Sequence, residues 1–575
     1  MLGNTLVHSD QRLRSHAAVD DAITTRLGEE SMRSVYARTV AVLASLATGA
    51  CADTVDQPAE PQARNSRVEA VTSSKMRPAE AMLFAMEQET PGFGGFYLDQ
   101  DGTAHVFVKD AARGGTAQFG MQRRFSSGEL PLPAGQRLQR VNVRAGQFSI
   151  SELAAWRDLL FDAISNNELP SAVKLDLNEQ TNRVKLVVES GVFRADANKL
   201  IGRLAIPSGA VTVEVGTRPT DARSLANARQ VLDQWRPMLG GVGISWHLAN
   251  GTVRAGCTSG FTMRKGSGFR IVTASHCSSS EWSVDASLIK NSPQTNLVGT
   301  ESEDPSGYSC GLRTCRGSDA AAFTPPSGVA LDVGYIARMR GFGQLYEDST
   351  ASYWIVSDVE TNNMYVGQVV YRQGATTGLV QGNISDTCDD YFNSWNRTRT
   401  CQTDAILLTN QGDSGGPIFW VNGQGANYVT LAGIASAVGG SGNLIFSAYQ
   451  RVATDLGIAS FDVKHSSTFP AQPVLSGSIV NGYPQISWPS VATATAYHLY
   501  RQWYRYGTEQ GSNGYEYMGT VTSSWAGDAL PVDAYTGTSF PNFSTPGYVS
   551  YYLFATNSSG RSSPASEIKH FRLAP

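Results

Sequence analysis

The chain carries little net charge for its length. Its 575 residues include 46 basic and 50 acidic residues, which gives a net charge of −4 and an isoelectric point near 6.1. Binding to nucleic acid relies on basic residues that neutralise phosphates, so the composition does not indicate a nucleic-acid partner. A chain of this length is also too long for one domain.

Cysteine and histidine are scarce, with seven and eight residues. No Cys-x-x-Cys pair and no histidine pair at ligand spacing occurs, so we predict no metal site and no other cofactor. Six cysteines lie between positions 257 and 401, an even number in one segment, which is typical of disulfides in a protein outside the cytosol. Proximity alone predicts the pairs Cys310–Cys315 and Cys388–Cys401.

Residues 412–417 read Gly-Asp-Ser-Gly-Gly-Pro and are the most informative stretch of the chain. A serine hydroxyl needs a base to take its proton before it can attack an acyl carbon, and the developing oxyanion needs hydrogen-bond donors. Glycines next to Ser414 permit backbone angles that other residues resist. The alternative is an ordinary turn in a chain with 57 glycines. We favour a nucleophile loop, which requires a histidine and an aspartate upstream.

His276 is the candidate base. It ends the apolar run of residues 270–274 and is followed directly by Cys277, so we expect it at a strand end that a disulfide holds in place. His247 has no such setting and is interpreted as a surface or packing histidine. Asp319 precedes the small apolar residues 320–323. An aspartate there is usually a turn residue, but its place between His276 and Ser414 favours a role beside the histidine.

These residues, in the order His, Asp, Ser, resemble the chymotrypsin-like serine proteases. The secreted bacterial branch of the streptogrisin and α-lytic type is the most similar, because residues 371–378, Tyr-Arg-Gln-Gly-Ala-Thr-Thr-Gly, resemble one of its conserved segments. Residues 434–436 and 439–443 resemble its substrate-binding strand and pocket loop. The resemblance covers roughly residues 240–460. It implies a mainly β fold in which two β-barrels form the protease domain.

The resemblance also assigns roles. His276 would be the general base and then the general acid, Asp319 would orient it, and Ser414 would attack. The amides of Gly412 and Ser414 would form the oxyanion hole. Arg372 would pair with Asp413 and support the oxyanion loop, and Cys257 would pair with Cys277.

Three departures from the family pattern concern cysteines. Tyr371 stands where the branch usually has a cysteine, and Gln381 stands near the expected partner, so that bridge is predicted to be absent. No cysteine directly precedes Gly412. Cys388 and Cys401 instead bracket a polar insertion, which we interpret as a surface loop.

The residues expected around the substrate pocket carry no charge. Leu408, six positions before the nucleophile, stands where a trypsin-like enzyme has an acid, and Ser447 occupies the wall position. No histidine precedes Ser436, which argues against the glutamate-specific variant of the branch. Because a buried unpaired ion is costly, we predict cleavage after apolar or other uncharged residues.

The N-terminal residues 1–52 resemble an extension followed by a secretory signal at about 32–52. Two arginines precede a short apolar core and an Ala-x-Ala site, and the core is too short to span a bilayer. Met32 is the alternative start, and lipidation at Cys51 is the less favoured alternative to secretion. Residues 53–77 are polar and rich in Pro, Glu, Gln and Ser, as in a linker.

Residues 78–237 lack the catalytic residues and contain no cysteine. Residues 95–99 and 181–184 resemble motifs of streptogrisin-type pro-regions, which implies an α+β folding assistant and inhibitor that is removed on maturation. The catalytic domain would then span residues 238–463, with the cut near residues 238–241. Residues 464–575 alternate apolar and polar positions and resemble a fibronectin type III module, a small β-sandwich.

The sequence therefore predicts a secreted serine endopeptidase made as a zymogen. Its partners would be protein or peptide substrates and its own pro-region. The alternative is a substrate- or surface-binding protein whose C-terminal module binds a polymer or surface ligand, with a weakly active or inactive protease domain.

Overall fold

The structure is a computed structural model. It describes residues 77–132, 136–221, 237–291, 296–341, 344–345, 353–393, 396–424, 427–439, 442–459, 463–465, 470–480, 483–505, 516–521, 547–558, 563, 566 and 569–573. The predicted signal peptide, Cys51 and all but the last residue of the predicted linker lie outside these residues.

Residues 77–221 form an α/β segment. Its helices are α1 (Ala81–Glu89), α2 (Gly114–Ser127), α3 (Ile150–Ser165) and α4 (Arg194–Arg203). Strands β1 (Phe93–Leu98), β2 (Thr103–Val108) and β3 (Arg140–Ala145) form one sheet, and β4 (Ala172–Asn178), β5 (Arg183–Val188) and β6 (Val211–Val215) lie side by side in another. A capping box begins α3, where the Ser149 hydroxyl accepts from the amide of Glu152 and the Glu152 carboxylate accepts from the amide of Ser149. A two-residue strand, β7 (Thr220–Asp221), ends the segment.

Asn182 joins the two sequence motifs that resemble pro-regions. It has a φ of 56°, a conformation that asparagine tolerates better than most residues. Its side-chain amide donates to the carbonyls of Gly94 and Phe148, each at 2.8 Å. Its carbonyl oxygen accepts from the amides of Gln147 and Phe148. One buried side chain therefore holds the start of β1, the start of α3 and the β4–β5 turn together.

A seven-stranded sheet follows, and it carries two of the candidate site residues. Its strands are β9 (Gly243–His247), β10 (Val253–Thr258), β11 (Phe261–Lys265), β12 (Gly268–Ala274), β13 (Leu288–Asn291), β14 (Asn296–Glu303) and β17 (Ala320–Thr324). The order across the sheet is β10-β9-β13-β14-β17-β12-β11, and all pairs are antiparallel.

The second sheet surrounds the Ser414 loop. It contains β8 (Met238–Gly240), β15 (Tyr308–Cys310), β16 (Arg313–Arg316), β18 (Leu331–Ala337), β21 (Tyr353–Val359), β22 (Val369–Gly374), β23 (Gly378–Phe392), β24 (Arg397–Ile406), β25 (Pro417–Val421), β26 (Tyr428–Val438) and β27 (Leu444–Ala448). A small hairpin, β19 (Met339–Gly341) with β20 (Gln344–Leu345), follows β18, and helix α5 (Tyr449–Leu456) follows β27.

The two sheets pack on adjoining apolar cores. One core includes Ile271, Phe323 and Tyr335, and the other includes Val272, Phe419 and Tyr449. Ile271 and Val272, neighbours on β12, thus enter different cores, because successive side chains of a strand point to opposite faces. The expected mainly β fold is confirmed.

The α/β segment continues the second sheet. Strand β4 pairs with β23 at Asp390↔Leu175 and Tyr391↔Lys174, so β4, β5 and β6 extend the sheet of the protease segment. The polar insertion is therefore not a surface loop in this chain. Asp389 and Asp390 are fully buried, because the insertion is a strand hairpin covered by the segment that precedes the protease domain.

The C-terminal residues build a separate β core. Strands β30 (Ala496–Arg505), β31 (Glu516–Val521), β32 (Gly547–Thr556) and β33 (Lys569–Leu573) form one sheet, and β28 (Ser476–Val480) pairs with β29 (Tyr483–Ser487). Trp488, Tyr551 and Leu553 lie in its core. The described helices include none long and apolar enough to cross a membrane. The domain boundaries given above stay predictions.

Candidate active site

Strand register brings His276 next to Asp319. His276 lies in the 3₁₀ turn Ser275–Cys277 that directly follows β12. Ala274 of β12 pairs with Ala320 of β17, and the amide of Ser275 donates to the carbonyl of Asp319 at 3.0 Å. As a result, the Nδ1 atom of His276 lies 2.7 Å from Oδ2 of Asp319. Both side chains are fully buried.

Ser414 completes a continuous hydrogen-bonded row. It lies in the loop between β24 and β25, and its Oγ is 2.8 Å from Nε2 of His276. Ser414 is 0% exposed in this chain. A hydroxyl, an imidazole and a carboxylate in this order can pass the serine proton to the histidine while the carboxylate stabilises the resulting imidazolium.

The Ser414 loop is held against the first sheet by its backbone. The amide of Thr258 donates to the carbonyl of Ser414, and the Thr258 hydroxyl donates to the carbonyl of Gly412, each at 2.7 Å. Gly415 has a φ of 81°, and a Cβ there would collide with the Thr273 hydroxyl. Only glycine fits this position without a shift of the neighbouring strand.

The amides of Gly412 and Ser414 have no acceptor among the described residues. Gly412 has a φ of 97°, which a residue with a side chain rarely adopts. Unused amide donors next to a nucleophile can stabilise an oxyanion. The geometry is compatible with the role that the family resemblance implies.

Arg372 and Asp413 form the ion pair that the resemblance implies. Nη1 of Arg372 lies 2.5 Å from Oδ2 of Asp413, and both side chains are 0% exposed. Asp413 also accepts hydrogen bonds from the amides of Asn410, Thr376 and Thr377. A buried charge needs such partners, and these contacts fix the backbone next to Ser414. Burial lowers the pKa of Arg372, whereas the charge of Asp413 raises it; the first effect is larger.

Asp319 has partners besides His276. The Ser436 hydroxyl donates to Oδ2 of Asp319 at 2.8 Å, and the amide of His276 donates to Oδ1 at 3.3 Å. Nη2 of Arg399 lies 3.5 Å from the same Oδ2. Burial alone would raise the pKa of Asp319, but the charges of Arg399 and His276 and the hydrogen bonds from His276 and Ser436 hold it well below its usual range.

The structure does not support the expected pocket roles of three residues. Leu408 is 61% exposed, so its side chain cannot be the floor of an enclosed pocket; its carbonyl instead accepts from Arg372. The Ser447 hydroxyl accepts from the amide of Asp319 and donates to Gln402. Ser436 donates to Asp319, as described above. Both serine hydroxyls therefore support the aspartate.

The three cysteine pairs are disulfide-bonded as expected: Cys257–Cys277, Cys310–Cys315 and Cys388–Cys401. The first joins β10 to the turn that carries His276. The third lies across the β23–β24 hairpin. His247 is the packing histidine that the sequence indicates, since it is buried and its ring nitrogens contact Ser245 and the carbonyl of Gly251.

Three carboxylates in the described residues lie close enough together to bind a metal: Asp386, Asp389 and Asp404. Their shared space contains the ammonium of Lys174, whose Nζ is 3.1, 2.7 and 2.9 Å from them. Burial alone would lower the pKa of Lys174, but the surrounding acids raise it well above its usual value. In this chain the cluster binds a lysine from the preceding segment.

Sequence reasoning missed Arg399, Gln402 and Thr258. Arg399 lies in the polar insertion, and no sequence pattern connects it to Asp319, because the contact depends on how the β23–β24 hairpin crosses the site. Thr258 follows Cys257, whose pairing with the His276 turn was the available indication that this strand lies beside the site.

No family model matches the chain. Serine protease 2 of Streptomyces fradiae is 30% identical over 190 residues, which is 32% of this chain and 88% of that protein.

Solved structures with some similarity include protease A of Thermobifida fusca, at 21% identity, and a glutamic-acid-specific serine protease, at 19% identity. They cover 40% and 39% of this chain and 98% and 100% of their own, each with a TM-score of 0.29. Such weak structural likeness adds nothing to the sequence match with Serine protease 2. By that match, the chain belongs to the trypsin-fold serine proteases.

Proposed function

We propose that this chain is a secreted serine endopeptidase made as a zymogen, with His276, Asp319 and Ser414 as its catalytic residues. The single observation that supports it most is the uninterrupted row Ser414 Oγ–His276 Nε2 at 2.8 Å and His276 Nδ1–Asp319 Oδ2 at 2.7 Å. A catalytically dead homologue would have no reason to retain this alignment in a fully buried setting.

The reaction follows from this geometry. Ser414 Oγ attacks the peptide carbonyl carbon while His276 Nε2 takes the hydroxyl proton. The amides of Gly412 and Ser414 bind the oxyanion. The C–N bond then breaks, His276 gives its proton to the leaving amine, and an ester to Ser414 remains. Water, deprotonated by His276, hydrolyses that ester and releases the serine. Asp319 stabilises the imidazolium in both halves.

The zymogen proposal rests on the strand β7. Thr220 and Asp221 pair antiparallel with Val438 and Ala437 of β26, directly after Ser436. A peptide added to this strand is placed as an extended ligand next to the nucleophile. In the full-length chain, β7 would therefore exclude substrate. The pairing of β4 with β23 attaches the same segment to the protease domain at a second place.

We place the maturation cut between residues 221 and 238, slightly upstream of the sequence expectation. Met238 and Leu239 are 0% and 1% exposed, and β8 pairs with β18. A protease needs an accessible, extended bond, and the bonds within β8 are inaccessible. Cleavage by the enzyme itself is part of the proposal.

We propose that substrates are cut after uncharged residues. The exposed side chain of Leu408 and the hydroxyl of Ser447, which contacts Asp319, are not the support for this proposal. The support comes instead from β26, where Ser436, Ala437 and Val438 form the strand next to Ser414 without a charged side chain.

Secretion is supported by the three disulfides, which persist in oxidising compartments. A ligand-binding role of residues 464–575 has less support. Its row of stacked aromatic rings includes Tyr500 and Tyr552, with centroids 4.9 Å apart, but these side chains are only 6% and 5% exposed. That face is not available to a polymer in this chain.

The full-length chain should be produced with its N-terminal residues and tested on a fluorogenic peptide library that varies the residue before the cut. We expect hydrolysis after uncharged residues, with none by Ser414→Ala. A wild-type protein that is folded, fully matured and inactive on the whole library contradicts the proposed function. Maturation of purified Ser414→Ala would contradict self-cleavage alone.

A further inference from the structure

Arg399 contacts the same oxygen of the catalytic aspartate as His276 does. Its Nη2 lies 3.5 Å from Oδ2 of Asp319, and its Nη1 donates to the Ser436 hydroxyl at 3.2 Å. Ser436 in turn donates to the same Oδ2. The guanidinium therefore acts on this oxygen both directly and through a hydroxyl.

The backbone of Arg399 is fixed between two strands. In β24 it pairs with Tyr391 of β23 on one side and with Arg316 of β16 on the other. Its side chain is 13% exposed. The same Nη2 is 3.7 Å from the carboxylate of Glu281. A planar guanidinium is suited to bridging two carboxylates in this way.

The charged groups that face Asp319 are few in the described part of the chain. His276 and Arg399 contact it directly. Asp304 lies further off; its own partner is Arg316, at 2.6 Å. Burial and the charge of Asp319 raise the pKa of Asp304, while Arg316 lowers it. The Asp304–Arg316 pair is internally compensated, so Arg399 is the fixed cation that dominates the field at Asp319.

From this geometry we infer that Arg399 is a positioning residue: its contacts hold the Asp319 carboxylate in line with His276, and its charge acts on the Asp319–His276 pair that takes the Ser414 proton. The inference rests on the proposed function. During the reaction the imidazolium of His276 and the guanidinium share one carboxylate oxygen. A permanent positive charge beside that oxygen makes it a weaker stabiliser of the imidazolium. The acid limb of the pH profile is therefore the readout that depends on the charge of Arg399.

The first test is the pH profile of kcat/KM for Arg399→Gln. The variant is produced as the full-length chain, and its rate constants are normalised to the fraction of protein that a fluorophosphonate labels. We expect the acid limb to move to higher pH by about one unit. The plateau should fall by no more than about tenfold, because His276 and Ser436 still bind Asp319. Arg399→Lys, which retains the charge, should restore most of the acid limb.

Arg397→Gln is the matched control. Arg397 lies two residues away on β24 and pairs with Glu281 at 3.3 Å, with no contact to Asp319. Its acid limb should move much less than that of Arg399→Gln, because Arg397 acts on Asp319 only through Glu281. A folded, labelled Arg399→Gln enzyme with an unchanged acid limb would overturn the inference.

Glu281→Gln keeps the inference testable if Arg399→Gln does not fold. Loss of this carboxylate removes a negative charge that offsets the charge of Arg399, so the acid limb should move to lower pH. A shift in the other direction, or none, contradicts the role of Arg399. An inactive wild-type enzyme would instead contradict the proposed function, and the two failures are thus distinguishable.

Discussion

Arg372 Nη1 lies 2.5 Å from Asp413 Oδ2, and neither side chain is exposed to solvent. The pair connects β22 to the residue that directly precedes Ser414. Gly374 lies beside it, and a Cβ at that glycine would collide with the Asp413 carboxylate. The shape of the nucleophile loop thus depends on a buried charge pair.

Arg372→Gln should destabilise the protein and disorder the site. Removal of one partner of a buried pair leaves an uncompensated charge and costs about 3–5 kcal/mol. We expect a lower thermal midpoint and loss of peptide hydrolysis. Arg264→Gln, at an exposed position of β11, is the control and should behave as the wild type does. Equal midpoints for the two variants would show that the pair does not support the loop.

Gly415→Ala should abolish activity, because its Cβ would meet Thr273 and because the residue has a positive φ. Gly423 separates these two effects. It also has a positive φ, of 76°, but a Cβ there meets open space. Gly423→Ala should therefore cost only about 1–2 kcal/mol of stability and leave kcat/KM unchanged. Denaturation and steady-state kinetics measure both quantities. Equal losses of stability and of kcat/KM in the two variants would mean that the contact between a Cβ at position 415 and Thr273 does not matter for activity.

Asp319→Asn should retain the fold and lose about 10⁴ in kcat, because an amide cannot stabilise the imidazolium and favours the wrong tautomer. The comparison requires proof of maturation, since a slow enzyme would also mature slowly. Maturation by added wild-type protease supplies the variant in its cut form. A loss of less than tenfold would contradict the role of Asp319.

Glu301 predicts a pH dependence of stability. Burial and the neighbouring Asp285 raise its pKa to about 8. Between its unfolded value near 4.5 and about 8, the folded state binds more protons than the unfolded state, so stability must fall as pH rises through this window. Glu301→Gln removes this titration. The thermal midpoint of the wild type should therefore fall relative to that of the variant between pH 5 and 8; parallel curves would be evidence against the raised pKa.

Lys174→Gln should lower the yield of active enzyme from the full-length chain. Its ammonium lies among Asp386, Asp389 and Asp404, and without it these buried carboxylates repel one another where β4 meets β23. If docking of β4 assists folding, fluorophosphonate titration should find several-fold fewer active sites per mole of chain. Arg203→Gln, which removes an exposed pair with Glu168, should give the wild-type yield. Equal yields would argue against assisted folding.

The sequence predicted the residues whose chemistry requires a particular side chain within a recognisable local pattern. His276, Asp319 and Ser414 lie in distinctive local patterns, and the structure brings them together through the register of β12 and β17. Arg372 and Asp413 were found by resemblance, and two of the disulfides were found because their cysteines are close in the chain.

Other features depend on contacts that no local pattern records. Leu408 looked like a pocket residue by its distance from Ser414, yet its side chain points to solvent. Ser447 occupies the expected wall position in its strand, but its hydroxyl accepts a hydrogen bond from the amide of Asp319. The acidic residues of the insertion looked like a solvated loop because their counter-charges come from the distant N-terminal segment: Lys174 pairs with Asp389 and Arg77 with Asp390. In each case the environment of the side chain depends on contacts with residues that are distant in the sequence.

The most direct measurement is mass mapping of the matured protein after reaction with a fluorophosphonate. If Ser414 is the activated nucleophile, we expect one adduct, on the peptide that contains Ser414. The rate of labelling should fall sharply in Asp319→Asn. No adduct on a folded, matured protein, or an adduct at another serine with Ser414 unmodified, would contradict this role of Ser414.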